Sequence, residues 1–245
     1  MGTVDYPISL LTWDVVFLGG AAVGAIICRQ TFNWKWLAAG FVMFNMNIAL
    51  VLNFFGFNDI FYALAGRPDV AFNWAGKIAA LSFSLILLAS PWFDRYEAGV
   101  TLRQAKGARI GWIAFGILIA INAIVVLQIP NEPQNSEAIA YQLLMPSLDE
   151  EIFFRGVLLI GLVKAFGEGP RFPGANIGWG ALMSSLMFGL IHGLFWTDSG
   201  WFVSVEDLLF AGLIGLFLTW LRLNTGSVVA PILLHSAVNT LWRLM

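Results

Sequence analysis

Eight apolar runs, most of them about 18 residues or longer, succeed one another along this chain, and a run of that length matches the hydrocarbon thickness of a bilayer. They cover residues 10–27, 36–55, 75–93, 110–128, 148–166, 179–195, 208–221 and 228–241, the last four shorter or more polar than the first four. In lipid every backbone N–H and C=O must find its partner within the protein, so runs of this kind become helices. The expected fold is all-α, a polytopic membrane helical bundle of about eight transmembrane helices. Composition agrees: 59% of the 245 residues are hydrophobic and 11% are charged, against about 25% charged in soluble domains. All eleven tryptophans fall near an expected span end, where membrane interfaces concentrate them.

Other classes are excluded by what is scarce. A net charge of −2 offers no basic field for nucleic acid. One cysteine, Cys28, permits neither an intrachain disulfide nor a cysteine metal site. The first ten residues carry Asp5 and no Lys or Arg, so the first apolar run is expected to be retained rather than cleaved as a signal.

Between the spans, two connections are more than turns. Residues 53–73 mix aromatics, glycines, Pro68 and charges, as a surface loop with an interfacial piece would. Residues 130–137, Pro-Asn-Glu-Pro-Gln-Asn-Ser-Glu, form a polar breaker. It divides a single integral membrane domain, 1–245, into N-terminal spans 1–130 and catalytic core spans 138–245. Residues 138–147 are expected along the interface, with Pro146 turning the chain inward. Arg29, Lys35, Arg95, Arg103, Lys106, Arg109, Lys164, Arg171 and Arg222 fall on one side of an eight-span bundle, and Arg67, Lys77 and Arg243 on the other. The positive-inside rule then puts both termini outside the cytoplasm.

The stretch Asp149-Glu150-Glu151-Ile152-Phe153-Phe154-Arg155 places charges at the head of an apolar run. Each charge within a span costs about 2.5–3.5 kcal/mol on insertion scales, so such residues point to function. Glu151 and Arg155 stand at i, i+4 and share a helix face, while Glu150 points about 100° away. One carboxylate is neutralised internally and the other faces something else. Both histidines lie in late spans: His192, one turn after Phe188, and His235, one turn before Asn239. Membrane histidines face the bundle interior or a wet cavity, and Glu150, His192, His235 and Asn239 are expected to converge there. Such a set suits hydrolysis by activated water: Glu150 is the better base candidate, and an imidazole and an amide can support an oxyanion. Ser184, Ser185 and Ser236 have no obvious activating partner and read as small packing residues, as do Gly178, Gly180, Gly189 and Gly193.

Glu150-Glu151-x-x-x-Arg155, Phe188-x-x-x-His192 and His235-x-x-x-Asn239, in that order on late spans, resemble the marks of the CAAX protease and bacteriocin-processing (Abi) family. The resemblance covers about residues 148–241. It implies an intramembrane endopeptidase similar to the type II CAAX prenyl endopeptidases, cutting near the C-terminus of a membrane-anchored, lipidated or prenylated protein or peptide. It also implies that Glu150 and His192 activate water, that His235 and Asn239 support the oxyanion, and that Glu151 and Arg155 support the site. Phe154 and Phe188 are expected to line the substrate cavity. No metal is expected as obligatory; if one is bound, zinc on Glu150, His192 and His235 is the set, although the His-Glu-x-x-His zinc helix is absent. A prokaryotic plasma membrane is the expected location. The alternative is a non-hydrolytic membrane protein, a proton- or ion-coupled transporter or an immunity or scaffold protein. Against it stands the confinement of the buried polar residues to one half of the chain.

Overall fold

Side-chain caps set where the helices begin. Asp5 accepts from the Ile8 amide at 3.0 Å, with Pro7 in the first turn, and starts α1, Tyr6–Ile27. Asn33, Asn73 and Asn135 likewise cap α2 (Trp34–Val51), α4 (Trp74–Ala89) and α6 (Ser136–Glu150), and Ser204 caps α9 (Val205–Thr225). Each side-chain oxygen satisfies an amide that the helix cannot. The computed structural model describes residues 3–64, 66, 72–129 and 135–244. Arg67 and Pro68 of the expected surface loop, and residues 130–134 of the polar breaker, lie outside these.

Short α3 (Phe57–Leu64) joins α2 to α4, and α5 is Arg109–Val126. From α6 the helix does not stop. It widens into a π-helical segment, Glu151–Leu158, and continues as α7, Leu159–Phe166. Gly167, with φ of 83°, ends it, a conformation that costs glycine little. A two-residue-stranded hairpin, β1 (Arg171–Phe172) and β2 (Ala175–Asn176), leads to α8, Trp179–Gly193. A second hairpin, β3 (Leu194–Thr197) and β4 (Gly200–Val203), is paired antiparallel with Leu194 opposite Val203. After α9, helix α10 spans Val229–Leu244.

Among the described residues four helices are long and apolar enough to cross a membrane: α1, α2, α5 and α9. The other expected spans appear as α4 of 16 residues, the α6–α7 rod, α8 of 15 and α10 of 16. The all-α membrane bundle stands; a count of eight full-length spans is not what the helix lengths give. Two boundaries are corrected. Residues 138–147 belong to the rod rather than to an interfacial piece, and Pro146 lies inside α6. Proline in a helix frees the carbonyl four residues earlier, here that of Gln142; at the neighbouring Leu143 carbonyl the Ser236 hydroxyl on α10 donates at 2.7 Å and ties that helix to the rod. The expected span 179–195 ends at Gly193, and its last residues open the β3–β4 hairpin.

A large core runs through the bundle, and a second, smaller cluster joins Leu218 and Leu221 of α9 to Ala230 and Leu234 of α10. Trp13 and Phe17 of α1, Phe44 of α2, Phe153 and Leu158 of the rod, and Met183 and Met187 of α8 are all buried within the large core. The outward faces stay apolar, with Ile113, Ile117, Ile121 and Ile124 of α5 and Leu209, Phe210 and Leu213 of α9 exposed. A helix apolar on its outer face as well as its inner one suits lipid. Glycines bring the helices of the site together. A Cβ on Gly180 would stand 2.7 Å from the Leu162 backbone, and one on Gly189 would stand 2.7 Å from the Leu208 carbonyl oxygen.

Candidate active site

The π segment carries the acids. Its wider turns leave Glu151 and Arg155 on one face, with Arg155 Nη1 donating to Glu151 Oε1 at 3.1 Å and neither side chain reached by solvent. Insertions of this kind occur disproportionately at functional sites. Glu151 Oε1 also accepts from His235 Nδ1 at 2.8 Å. A second donor, Arg155 Nη2, reaches the Gly215 carbonyl at 3.3 Å, and the guanidinium lies 4.1 Å from the Phe188 ring centroid. Arg155 therefore ties α8 and α9 to the rod, and Glu151 ties α10 to it.

Glu150 does not stand alone. Its Oε1 accepts from Lys77 Nζ of α4 at 2.7 Å, and the same Nζ donates to Asp149 Oδ2 at 3.1 Å. Lys77, expected among the sparse loop charges of one membrane side, is instead buried at 8% exposure and belongs to the site. The buried polar residues are accordingly not confined to one half of the chain, and that argument against a relay or ion site falls. The other carboxylate oxygen, Glu150 Oε2, is buried and has no hydrogen-bond partner in the protein.

His192 Nδ1 lies 2.6 Å from the Phe188 carbonyl. A carbonyl only accepts, so the proton sits on Nδ1 and Nε2 is left free. His235 is held through Nδ1 as well. Phe188 separates and aligns the two rings, its centroid 4.5 Å from that of His192 and 6.3 Å from that of His235. His192, His235, Asn239 and Phe188 line one cavity of about 130 Å³, walled by Phe210, Ala211, Ile214 and Leu218 of α9 and by Leu234 and Val238 of α10. His192 is on its exposed side. Glu150 is not in that lining but lies within electrostatic range of both imidazoles.

Of the sequence-predicted set, the structure brings Glu151, Arg155 and His235 into direct contact and places His192, His235 and Asn239 around one cavity. Phe154 is corrected: it is 1% exposed and packs edge-on against Phe153 and Phe188 in the core, away from the cavity wall. The residues named for zinc, Glu150, His192 and His235, are each held by another partner. Among the described residues no three His, Cys, Asp or Glu side chains are grouped as a metal ion needs, since Lys77 holds Glu150 and Glu151 holds His235 at Nδ1. Sequence reasoning misses Lys77 and the part played by Asp149. Lysine four residues into an apolar helix, beside an Asn cap, reads as an interfacial charge, and its partners lie 72 and 73 residues away.

A polytopic membrane helical bundle with charged groups buried among its helices and two imidazoles around one cavity defines the class, that of an integral membrane protein with an internal polar site. Residues 132–241, a little under half of the chain, match the family model described as Type II CAAX prenyl endopeptidase Rce1-like, which supports the resemblance to the CAAX protease and bacteriocin-processing family. Neither a curated protein nor a solved structure matches the chain.

Proposed function

We propose that this chain is an intramembrane endopeptidase that hydrolyses a peptide bond near the C-terminus of a membrane-associated or prenylated substrate, using water activated by Glu150. The observation that carries this reading is the orphaned Oε2 of Glu150, within electrostatic range of two imidazoles. A buried carboxylate oxygen without a partner is costly, and a water donating to it offsets that cost. On this reading the same water also bonds the free Nε2 of His192, and the two contacts orient it for attack.

Attack proceeds as Glu150 takes one proton of the water and the oxygen adds to the scissile carbonyl carbon. The negative charge moves to the former carbonyl oxygen, where the Asn239 amide donates to it; His235 donates from Nε2 only in its doubly protonated form. Collapse breaks the C–N bond, and the proton held by Glu150 passes to the departing amine. His192 orients the water, and the apolar wall of α9 excludes the bilayer's other contents from the reacting atoms. A lipid-anchored chain suits a cavity bounded by Phe210, which is itself exposed on the outer face of α9.

The test uses full-length protein in proteoliposomes with an internally quenched farnesylated peptide ending in a CAAX sequence. Glu150→Gln is expected to lower kcat by about 10²- to 10⁴-fold, the range for a lost general base, while the protein stays inserted and folded. Undiminished cleavage by that variant rules out Glu150 as the base that activates the water.

A further inference from the structure

We propose that Lys77 is a positioning residue for the hydrolytic carboxylate, a clamp supplied by the first half of the chain that fixes Glu150 Oε1 and thereby aims Oε2 at the water. The inference rests on the endopeptidase reading above, and its experiment separates the two.

Lys77 stands in the first turn of α4, close enough to a helix end for its long stem to reach water, as membrane lysines near helix ends ordinarily do. It points inward instead, with Nζ 2.7 Å from Glu150 Oε1 and 3.1 Å from Asp149 Oδ2. A carboxylate is planar, so fixing one oxygen against a buried ammonium fixes where the other points. The unpartnered Oε2 is then set by the Lys77 contact rather than by any bond of its own. Asp149, 1% exposed, holds the ammonium from the other side and stops it from swinging wholly onto Glu150. Lys77 touches no reacting atom, and lies outside the 132–241 segment that carries the family match.

The bland alternative is a buried ion pair that only holds α4 to the rod. Removing Lys77 alone does not discriminate, because it strands two carboxylates in low dielectric. The double variant K77M/D149N removes one cation and one anion and leaves the formal charge of the cluster unchanged. A positioning role predicts that this variant still inserts and folds, yet loses about 100-fold in kcat, the scale of a misplaced reacting group. KM on the farnesylated peptide should stay within about threefold, since binding is not what was removed. Wild-type kcat in K77M/D149N overturns the proposal. So does failure of that variant to fold despite its preserved charge, because Lys77 is then a folding determinant.

An infrared readout works without turnover. The Glu150 carboxylate band, identified by its loss in E150Q, should shift in K77M/D149N; an unmoved band overturns the clamp. Should the wild-type protein leave the peptide uncut, the endopeptidase reading fails and the infrared result alone decides whether Lys77 holds Glu150.

Discussion

Arg155 has none of its surface exposed, so its charge must be met entirely by protein. Glu151 meets it at 3.1 Å, the Gly215 carbonyl at 3.3 Å and the Phe188 ring at 4.1 Å. Glu151→Gln removes the counter-ion and also the carboxylate acceptor of His235. Breaking a buried pair on one side costs about 3–5 kcal/mol, and chemical or thermal melts of purified protein should show a loss of that size. Glu150→Gln leaves Lys77 still paired with Asp149, so its melting should stay near that of the wild type while its turnover collapses. On the proposed reading the two neighbouring glutamates separate into one that holds the fold and one that does chemistry; equal melting losses for both would contradict the division. At this scale legibility follows sequence distance. Glu151 and Arg155 can be paired from their i, i+4 spacing, but Glu151 with His235, 84 residues apart, and Glu150 with Lys77, 73 apart, cannot. No periodicity links residues on different helices. The motif names the residues, and packing decides who holds whom.

At the level of elements, the helix–helix approaches decide where the imidazoles stand. His192 is one turn beyond Gly189, and a Cβ at Gly189 would meet the Leu208 carbonyl oxygen at 2.7 Å and Gly212 Cα at 3.0 Å. Gly189→Ala should therefore push α8 and α9 apart. The expected loss is about 1–3 kcal/mol, as for other overpacked positions, with a fall in turnover because His192 moves with α8. Gly19→Ala, where a Cβ meets nothing within 4 Å, is the control and should leave both stability and turnover unchanged. These close-packing glycines are readable in the sequence because small residues are what membrane helices use to approach. The π segment is not, since nothing in the spacing of its 8 residues distinguishes a π turn from an α turn. Pro146 misleads for a physical reason. A proline often ends a helix in water, but here Pro146 lies inside α6 where α10 packs against it, with Ser236 donating to the Leu143 carbonyl, and the rod continues. The β3–β4 hairpin is hidden because Leu194, Phe195 and Trp196 extend the apolar run of α8, and hydropathy alone does not reveal the change of backbone at Gly193.

For the whole molecule, the family match begins at residue 132, yet the core does not. Phe44 of α2 and Trp13 and Phe17 of α1 are buried in the same cluster as Phe153, Phe154 and Leu158 of the rod. The first half looks featureless in sequence because its contribution is shape: apolar faces that fit the rod, together with one lysine. If that fit holds the rod in place, a substitution far from every motif residue should be felt at the site. Phe44→Ala opens a cavity at a position with no exposed surface, and such truncations cost about 3–5 kcal/mol. Phe153→Ala, within the matched segment and equally buried, should cost about as much. Both are expected to lower the melting temperature in detergent by comparable amounts, and lipids entering the cavity from the bilayer would reduce both alike. A Phe44→Ala protein with unchanged stability would mean that the C-terminal spans are held together without the first half. Lys77 would then be carried by a helix free to move, and a lysine on a mobile helix cannot keep Glu150 Oε2 aimed at one point.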